Sequence, residues 1–391
     1  MKYLAIGLGV VVLAAAGAVG AAVGTEHKPA PIEPTEVVCG ADTQELTKNE
    51  PFQMVSWNLQ YGASRKHQFF YDGGEAVHVP EEDVRWTLDA VNKVLTDIDP
   101  ELMLLQEVDR GSKRTGGIDQ HMDYVNATGA KCHTSAAYHK SPYVPVPSGD
   151  ALGKVDMELS LLTKTKMSSG ERIQLAMLDE GRARRMFNLK RALLWGEVPV
   201  SGMDLPLAIA VTHLSAFSFG DGTLEKQIGQ LKDWMEARPE GQPWILAGDF
   251  NLLPPGDDKM RLEHERDLYA DSDNPVDVLF DAGLREIFED QLAPANRTYL
   301  SFGTSEPDRK IDYVFVGGPI HVLEAEVIGG EALQISDHLP IRAKFVIGDA
   351  PEEPEPEPEP EVLPEPETEG MDAPMDGEAP EMGADTEPQT E

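Results

Sequence analysis

Polar side chains border apolar runs at six places along the sequence. They are Asn58, Glu107, His213, the pair Asp249 and Asn251, Asp312, and the pair Asp337 and His338. Nearly all are carboxylates, amides or imidazoles, and neither a cysteine cluster nor an HExxH motif accompanies them. Zinc sites favour closely spaced His or Cys ligands, whereas oxygen ligands spread over several strands suit Mg²⁺, Mn²⁺ or Ca²⁺. The residue types therefore predict a site for one of these three cations.

Strand-like and helical runs alternate along the chain, and they place these side chains at strand ends. Helices are predicted over residues 81–98 and 223–237 and near 275–283, where apolar residues recur every three or four positions. The predicted strands are FQMVSWNL, ELMLLQEV, LSLLT, RALLWGEVPV, LAIAVTHL, WILAGDF, KIDYVFVG and LPIRAKFVI. Because strands outnumber helices, we expect packed sheets with flanking helices rather than one doubly wound sheet.

The net charge of −36 is unevenly distributed over the 391 residues. Residues 349–391 contain 17 acidic side chains and no Lys or Arg, in Pro-Glu repeats that have almost nothing to bury. We expect this tail to be a disordered, self-repelling spacer, with binding of calcium or of a basic partner as the alternative. The globular part is also acidic, which argues against electrostatic wrapping of nucleic acid. A nuclease is not excluded, because bound cations would supply positive charge locally.

The N-terminus carries the pattern of an export signal. Residues 3–24 are 22 positions dense in Ala, Val, Leu and Gly, a run that is long for a signal peptide and long enough to span a bilayer. Small residues at Ala16, Ala18 and Ala22 offer cleavage sites, so residues 1–24 are either a signal peptide or a retained membrane anchor. Both alternatives export the protein, which is then periplasmic, secreted, or anchored facing outward.

The remaining sequence divides into a predicted linker and a predicted catalytic domain. Residues 25–50 are rich in Pro, Thr and Glu and are predicted to be a tether, and the globular pattern then runs over residues 51–348. The chain has two cysteines, Cys39 and Cys132. In an exported protein they either form a disulfide or remain separate thiols.

The ordered set of motifs SWNLQ, LLQEVD, THLSAF, AGDFNLLP, KIDYVFV and ISDHLP resembles the endonuclease/exonuclease/phosphatase superfamily, which has the deoxyribonuclease I-like fold. The resemblance covers residues 52–347. The phrases FFYDGG, FNLKRALL and GDFNLLPPG also resemble an exported bacterial branch of hydrolases within that superfamily. The resemblance implies an α/β fold, namely a four-layered α/β/β/α sandwich of two packed mixed sheets with helices outside.

The resemblance also implies a metal centre and a general base. Glu107 would be the central metal ligand, with Asn58 and Asp337 completing the site, so that the cation can polarise a phosphoryl oxygen. Asp249 would orient or deprotonate the attacking water, helped by Asn251, whose amide can also donate a hydrogen bond to phosphate.

Four further residues are implied to act on the phosphate. His338 would bind it and, when charged, stabilise the transition state, and His213 would act similarly from the opposite side. Asp312 would hold one imidazole in the required tautomer and raise its pKa. Arg191, in KRALL, would be aimed at the phosphate.

Several residues have alternative interpretations. In the alternative interpretation of these residues, Asp312 pairs with Arg309 or Lys310, and Arg191 lies on an exposed strand face. Four other histidines are predicted to lie on the surface: His78, His121, His133 and His139. The arginines at 182, 184 and 185 either meet an anionic surface or belong to a solvated loop.

The predicted function is hydrolysis of a phosphoester outside the cytoplasm by a divalent-metal-dependent, monomeric enzyme, with Mg²⁺ favoured and Mn²⁺ or Ca²⁺ as alternatives. A small or lipid-linked substrate is favoured, with membrane association through the N-terminal segment. The alternatives are a secreted deoxyribonuclease I-like nuclease, for which nucleic acid would be the partner, and a non-catalytic binding module. Residues 64–80 and 131–157 are expected to form walls of the site that choose the substrate, unless they only pack as loops.

Overall fold

The computed structural model describes residue 20 and residues 23–216, 218, 220–269 and 274–349. Almost all of the predicted acidic tail and of the predicted signal or anchor segment lies outside these residues. Among the helices that the described ranges contain, none is both long and apolar enough to cross a membrane.

Two seven-stranded mixed sheets form the centre of the fold. The first sheet contains, from edge to edge, β15 (Ile320–Val327), β16 (Ile341–Ile347), β4 (Phe52–Asn58), β5 (Leu102–Asp109), β7 (Gly153–Thr163), β6 (Cys132–Val144) and β2 (Val38–Cys39). The second contains β1 (Ile32–Pro34), β8 (Ser169–Gln174), β9 (Ala192–Val198), β11 (Leu207–His213), β12 (Trp244–Asp249), β14 (Asp312–Gly317) and β13 (Arg285–Glu286). A separate pair joins β3 (Leu46–Thr47) to β10 (Val200–Ser201).

The described helices are α1 (Glu81–Ile98), α2 (Gln120–Thr128), α3 (Arg182–Arg185), α4 (Thr223–Glu236) and α5 (Asp277–Asp281). Both long helices were predicted from their apolar periodicity, and α5 is shorter than the predicted run. Helix α1 ends where Asp99 adopts a left-handed conformation, with φ 55°, immediately before Pro100. A proline disfavours helical geometry in the residue before it, which explains the position of this end.

The core lies between the two sheets, and the alternation of side chains along β11 shows how it is built. Ile209 and Val211 belong to the large apolar cluster that includes β4 and β5, whereas Ala208 and Ala210 pack with α4. Successive side chains of a strand point to opposite faces, so β11 is covered on both sides. Val84, from the apolar stripe of α1, belongs to the same large apolar cluster. The helices thus cover two packed mixed sheets, and the predicted four-layered α/β sandwich is confirmed.

The segment predicted to be a linker is paired with both sheets instead. Strand β1 pairs antiparallel with β8, strand β2 pairs antiparallel with β6, and a disulfide joins Cys39 to Cys132. Of the two alternatives for the cysteines, the structure therefore contains the disulfide. The expectation of a free tether was wrong for residues 32–47, because an edge strand pairs through its backbone and needs few apolar side chains. This segment covers one edge of each sheet.

Two histidines predicted to lie on the surface are buried. His139 Nε2 donates to the Phe187 backbone carbonyl at 2.9 Å. His121 is 1% exposed, and its Nδ1 lies 2.9 Å from Ser160 Oγ while its Nε2 lies 2.9 Å from His133 Nδ1. Burial, and then nearby arginine charge, lowers the pKa of both His121 and His139 to about 3. Both rings are therefore neutral in the folded protein at neutral pH.

This burial predicts a loss of stability in mild acid. The lowered folded-state pKa of His121 means that only the unfolded chain takes up the proton as the pH falls below the ordinary range of histidine. Between pH 8 and pH 5, the burial of neutral His121 should lower the free energy of unfolding by roughly 2 kcal/mol. The His121→Gln variant should lose less stability over that interval by about this amount, measured by urea denaturation at both pH values. The exposed His264→Gln variant is the matched control, and equal losses in both variants would contradict the assignment.

Candidate active site

The register of the strands gathers the predicted side chains at one end of the sandwich. In the second sheet His213 is the register partner of Asp249 on parallel β12, and Asp249 is the partner of Asp312 on antiparallel β14. In the first sheet β4 and β5 are parallel neighbours, so Asn58 and Glu107 end side by side. The strand-end pattern thus places residues from both sheets around one cleft of about 700 Å³.

Two backbone positions aim side chains into this cleft. The pairing of β5 with β7 is irregular between Leu105 and Val108, and Glu107 within this bulge has a left-handed φ of 57°. Asn251 also has a left-handed φ, of 54°. Such conformations cost of order 1–3 kcal/mol for residues other than glycine, less for asparagine, and are concentrated at functional sites. The bulge turns Glu107 towards the cleft, which it lines.

Three donors converge on one oxygen of Asp249. Asn58 Nδ2 donates to Asp249 Oδ2 at 3.0 Å, His213 Nε2 lies 3.2 Å from it, and His338 Nε2 lies 3.5 Å from it. The other oxygen accepts from the backbone N–H of Asn251 at 2.9 Å. Burial raises the pKa of Asp249 to about 7, against the opposing charge of His338. A carboxyl with a pKa near neutrality is suited to exchange protons with water.

His338 is held between two carboxylates. Its Nδ1 donates to Asp312 Oδ2 at 2.9 Å, and its Nε2 faces Asp249. Burial alone would lower the pKa of His338, but the charges of Asp312 and Asp249 raise it well above the ordinary value. The ring is therefore an imidazolium at neutral pH. Asp312 thus contacts the histidine rather than the alternative partners, since Arg309 pairs with Asp308 and Lys310 pairs with Glu286.

His213 lies in the same cleft, but its ring is neutral. Burial and the positive charges of Arg191 and His338 lower its pKa well below the ordinary value. Its Nδ1 lies 3.2 Å from the hydroxyl oxygen of Tyr138, which can donate to it when Nε2 carries the proton. The predicted location of His213 opposite His338 agrees with the geometry. The expectation of a similar charged role does not, because His213 can offer only a neutral N–H.

Two carboxylates in the cleft could hold a divalent cation. Glu107 and Asp337 both line it, and the charge of Asp337 is the largest cause, after burial, of the raised pKa of Glu107. Two half-buried carboxylates that destabilise each other's charge form an oxygen donor set that a hard cation stabilises. Asn58 donates from Nδ2 to Glu107 Oε1 at 3.3 Å, while its Oδ1 accepts from the backbone of Gln60 at 3.0 Å. In this geometry Asn58 orients two carboxylates and keeps one oxygen lone pair for a ligand.

A second group could also hold a cation by geometry. One ligand atom from each of Asp249, Asp312 and His338 lies within 4.8 Å of the others. Ligation there would require His338 to give up the proton of the ring nitrogen that binds the cation. The raised pKa of His338 opposes that loss. Glu107 and Asp337 therefore suit a cation better, whereas Asp249, Asp312 and His338 form a network of ion pairs.

Arg191 lies inside the protein rather than on an exposed strand face. It is 9% exposed, it lines the cleft, and its guanidinium lies 5.5 Å from the ring centroid of Tyr138. Its Nη1 is buried and has no hydrogen-bond partner within the part of the chain that the structure describes. A buried donor without a partner is costly, and a bound anion would satisfy it.

The sequence did not single out several residues that line the cleft. Arg114 is buried beside Asp109, with Nε donating to that carboxylate at 2.9 Å, and its Nη1 donates to the Tyr71 hydroxyl at 3.1 Å. Tyr138 and Gln60 also line the cleft. Only Tyr71 and Tyr138 carried a signal, as aromatics in the two segments expected to form walls. Gln60 is the last residue of the SWNLQ motif but received no role, and Arg114 belongs to no motif, because it reaches the cleft through packing.

Fold and site together define an α/β sandwich with an acidic cleft that residues of both sheets line. The profile of the Endonuclease/Exonuclease/phosphatase family matches residues 55–338, and the chain belongs to this family. Members of this superfamily are phosphoester hydrolases and usually use divalent metals. No functionally curated protein is similar enough in sequence to match.

Three solved structures share the fold with this chain. An endonuclease/exonuclease/phosphatase from Beutenbergia cavernae DSM 12333 is 20% identical, with a TM-score of 0.54 over 78% of this chain and 73% of that one. An endonuclease/exonuclease/phosphatase from Bacteroides vulgatus is 14% identical, with a TM-score of 0.52 over 76% and 100%. A functionally unknown conserved protein from Enterococcus faecalis V583 is 17% identical, with a TM-score of 0.51 over 76% and 100%.

The charge state of His338 gives a prediction for Asp312. The Asp312→Asn variant should have a lower His338 pKa, because an amide supplies no negative charge to the ring. We expect kcat for a phosphodiester to fall roughly 100-fold or more, and the alkaline limb of the pH–rate profile to move to lower pH. The exposed Asp281→Asn variant controls for removal of a carboxylate elsewhere. An alkaline limb at an unchanged pH would rule out this role for Asp312.

Proposed function

We propose that this protein is a divalent-metal-dependent phosphoester hydrolase that acts outside the cytoplasm. The observation that carries the proposal is the position of the His338 ring, which is hydrogen-bonded to Asp312 and faces Asp249 in the cleft that Glu107 and Asp337 also line. A fixed positive charge beside a carboxyl of near-neutral pKa suits transfer of a phosphoryl group to water.

Glu107 and Asp337 would hold the metal, with Asn58 orienting Glu107. Mg²⁺ is the favoured ion because the donors are hard oxygens, with Mn²⁺ or Ca²⁺ as alternatives. When bound, such an ion supplies Lewis-acid polarisation of a phosphoryl oxygen and stabilises the leaving oxygen.

The protein's own groups divide the remaining work. Asp249 accepts a proton from the attacking water, and Asn251 fixes the Asp249 carboxylate through its backbone N–H. His338 stabilises the negative charge that develops on the phosphoryl oxygens. His213 donates a neutral hydrogen bond, and Arg191 binds a phosphate oxygen through its unpaired Nη1.

The apolar part of the cleft lining supports a small or lipid-linked substrate. Apolar side chains line it on two sides: Val144, Pro145, Val146 and Leu152 from the connection of β6 to β7, and Met177, Leu178 and Phe187 from the segment after β8. Apolar walls suit an apolar substrate group, and the acidic body disfavours a long polyanion. Action outside the cytoplasm is supported by the apolar N-terminal run and by the disulfide between Cys39 and Cys132. Because one chain supplies every site residue named, we propose that the monomer is sufficient for activity.

Turnover of bis(p-nitrophenyl) phosphate by the purified chain tests the proposal. Activity should require Mg²⁺, Mn²⁺ or Ca²⁺ and disappear with chelator. The Glu107→Gln variant should lose roughly a thousandfold in kcat/KM and need more metal for half-maximal activity, since one anionic ligand is gone. The exposed Glu75→Gln variant is the matched control. Wild-type turnover that persists in both Glu107→Gln and His338→Ala would contradict the assignment and leave a non-catalytic binding module.

A salt series separates the nuclease alternative. A nuclease that neutralises several phosphates should lose affinity for DNA steeply as salt rises, whereas hydrolysis of a small phosphoester should change little. If the enzyme cleaves DNA in preference to small phosphoesters, with a steep salt dependence, its substrate is nucleic acid.

A further inference from the structure

Arg172 of β8 is an arginine that the fold buries almost completely. It is 2% exposed, and arginine is rarely buried to this extent unless a charged partner compensates it. Its register partner on β1 is Glu33, whose Oε1 lies 4.0 Å from Arg172 Nε, at the limit of an ion pair. A contact this long, to a carboxylate that is partly exposed, does not account for the burial of the guanidinium.

The guanidinium binds backbone carbonyls of two different segments instead. Arg172 Nε donates to the Ala137 carbonyl at 3.1 Å, and Nη2 donates to the Lys190 carbonyl at 2.9 Å. Ala137 lies on β6 of the first sheet, whereas Lys190 lies just before β9 of the second sheet. The donors of a guanidinium have a fixed planar arrangement, so one side chain sets the separation of both carbonyls. Arg172 therefore connects the two sheets.

Each of these carbonyls directly precedes a residue of the candidate site. Tyr138 follows Ala137, and Arg191 follows Lys190. The backbone N–H of Lys190 also donates to the Tyr138 carbonyl at 2.6 Å, so the two segments lie against each other. The Arg191 guanidinium lies 5.5 Å from the centroid of the Tyr138 ring. The backbone that Arg172 binds thus carries two side chains that face each other.

Gln174 extends the network to Arg191 itself. Its Oε1 accepts from Arg172 Nη2 at 2.9 Å, and its Nε2 donates to the Arg191 carbonyl at 3.0 Å. The backbone N–H of Leu175 donates to the same carbonyl at 3.0 Å. The backbone on both sides of the peptide between Lys190 and Arg191 is therefore hydrogen-bonded to Arg172 or to its partner Gln174.

Tyr138 and Arg191 both act on the surroundings of His213. The Tyr138 hydroxyl oxygen lies 3.2 Å from His213 Nδ1, and the charge of Arg191 is, after burial, the largest cause of the lowered pKa of His213. Arg191 also carries the buried Nη1 that is unpaired within the described ranges. Misplacing groups of a reaction site by about 1 Å can reduce a rate by roughly 100-fold.

We propose that Arg172 is a positioning residue that holds Arg191 against Tyr138 and so aims Arg191 at the phosphate of the substrate. Arg172 acts through the two backbone segments and not by contact with the reacting groups. The inference rests on the proposed function for the role of Arg191 in binding phosphate. The effect of Arg172 on the surroundings of His213 follows from the hydrogen bonds alone and does not require hydrolysis.

A double-mutant cycle with bis(p-nitrophenyl) phosphate tests the positioning role. Arg172→Lys should lower kcat/KM roughly tenfold, mostly through a higher KM, because lysine keeps the charge but cannot bind both carbonyls. In the Arg191→Gln background the same substitution should change kcat/KM by less than about twofold, since the side chain that it positions is gone. Losses that simply multiply in the double variant would overturn the proposal.

Two further variants complete the cycle. Gln174→Met leaves Arg172 intact and removes the side-chain donor to the Arg191 carbonyl, so its smaller loss should also disappear in the Arg191→Gln background. It carries the same test if Arg172→Lys does not fold. Arg110→Lys is the matched control, because Arg110 is a half-buried arginine that donates to Ser135 Oγ of β6 at 3.0 Å. It should change kcat/KM by less than about twofold.

Nitrogen-15 NMR of the histidine-labelled chain gives a readout that does not depend on turnover. Arg172→Lys should shift the ring nitrogen signals of His213 and leave those of the exposed His264 unchanged, whereas Arg110→Lys should shift neither. Unchanged His213 signals in Arg172→Lys would overturn the positioning role even if turnover falls. Shifted His213 signals in a chain that hydrolyses no phosphoester would support the positioning role and contradict the proposed function alone.

Discussion

The buried positive charge of His338 is the interaction on which the rest of the site depends. An imidazolium removed from water costs several kcal/mol unless carboxylates compensate it. Asp312 does so at 2.9 Å, and Asp249 faces the other ring nitrogen. That arrangement requires β12 and β14 to pair in the register that sets Asp249 opposite Asp312. The position of the ring is thus a consequence of how the second sheet is assembled.

Residues of the first sheet contact the loop that carries His338. Trp57 Nε1 donates to the His338 carbonyl at 2.9 Å, and Ser336 Oγ donates to the Asn58 carbonyl at 2.8 Å. The motif at the end of β4 therefore fixes the loop that carries His338. Since both sheets are needed to hold the imidazolium, the packing of the sandwich and the chemistry of the cleft are coupled. Burial lowers the pKa of His213, with the charges of Arg191 and His338 adding to the effect, whereas at His338 the charges of Asp312 and Asp249 outweigh burial and raise the pKa.

The sequence predicted the strand-end residues well, because their motifs depend on local order along the chain. Apolar runs ending at Asn58, Glu107 and Asp249 indicate both the strand and the polar end, and strand pairing does the rest. The neutral state of His213 could not be predicted, since it depends on burial and then on the positive charges that the assembled cleft brings near the ring. The position of Arg114 in the cleft could not be predicted either, because it follows from a buried ion pair with Asp109. The paired edge strands of the expected linker were hidden because they are only two or three residues long, too short to show an alternating pattern.

The protonation of His338 is the most direct test of this account. Nitrogen-15 NMR of a histidine-labelled chain, with His338 assigned through His338→Gln, follows both ring nitrogens as the pH is raised. The account predicts that both nitrogens of His338 stay protonated beyond the pH at which an ordinary histidine becomes neutral, while His213 is already neutral below that pH. A His338 ring that is neutral at pH 7 would contradict the clamped imidazolium and the roles derived from it.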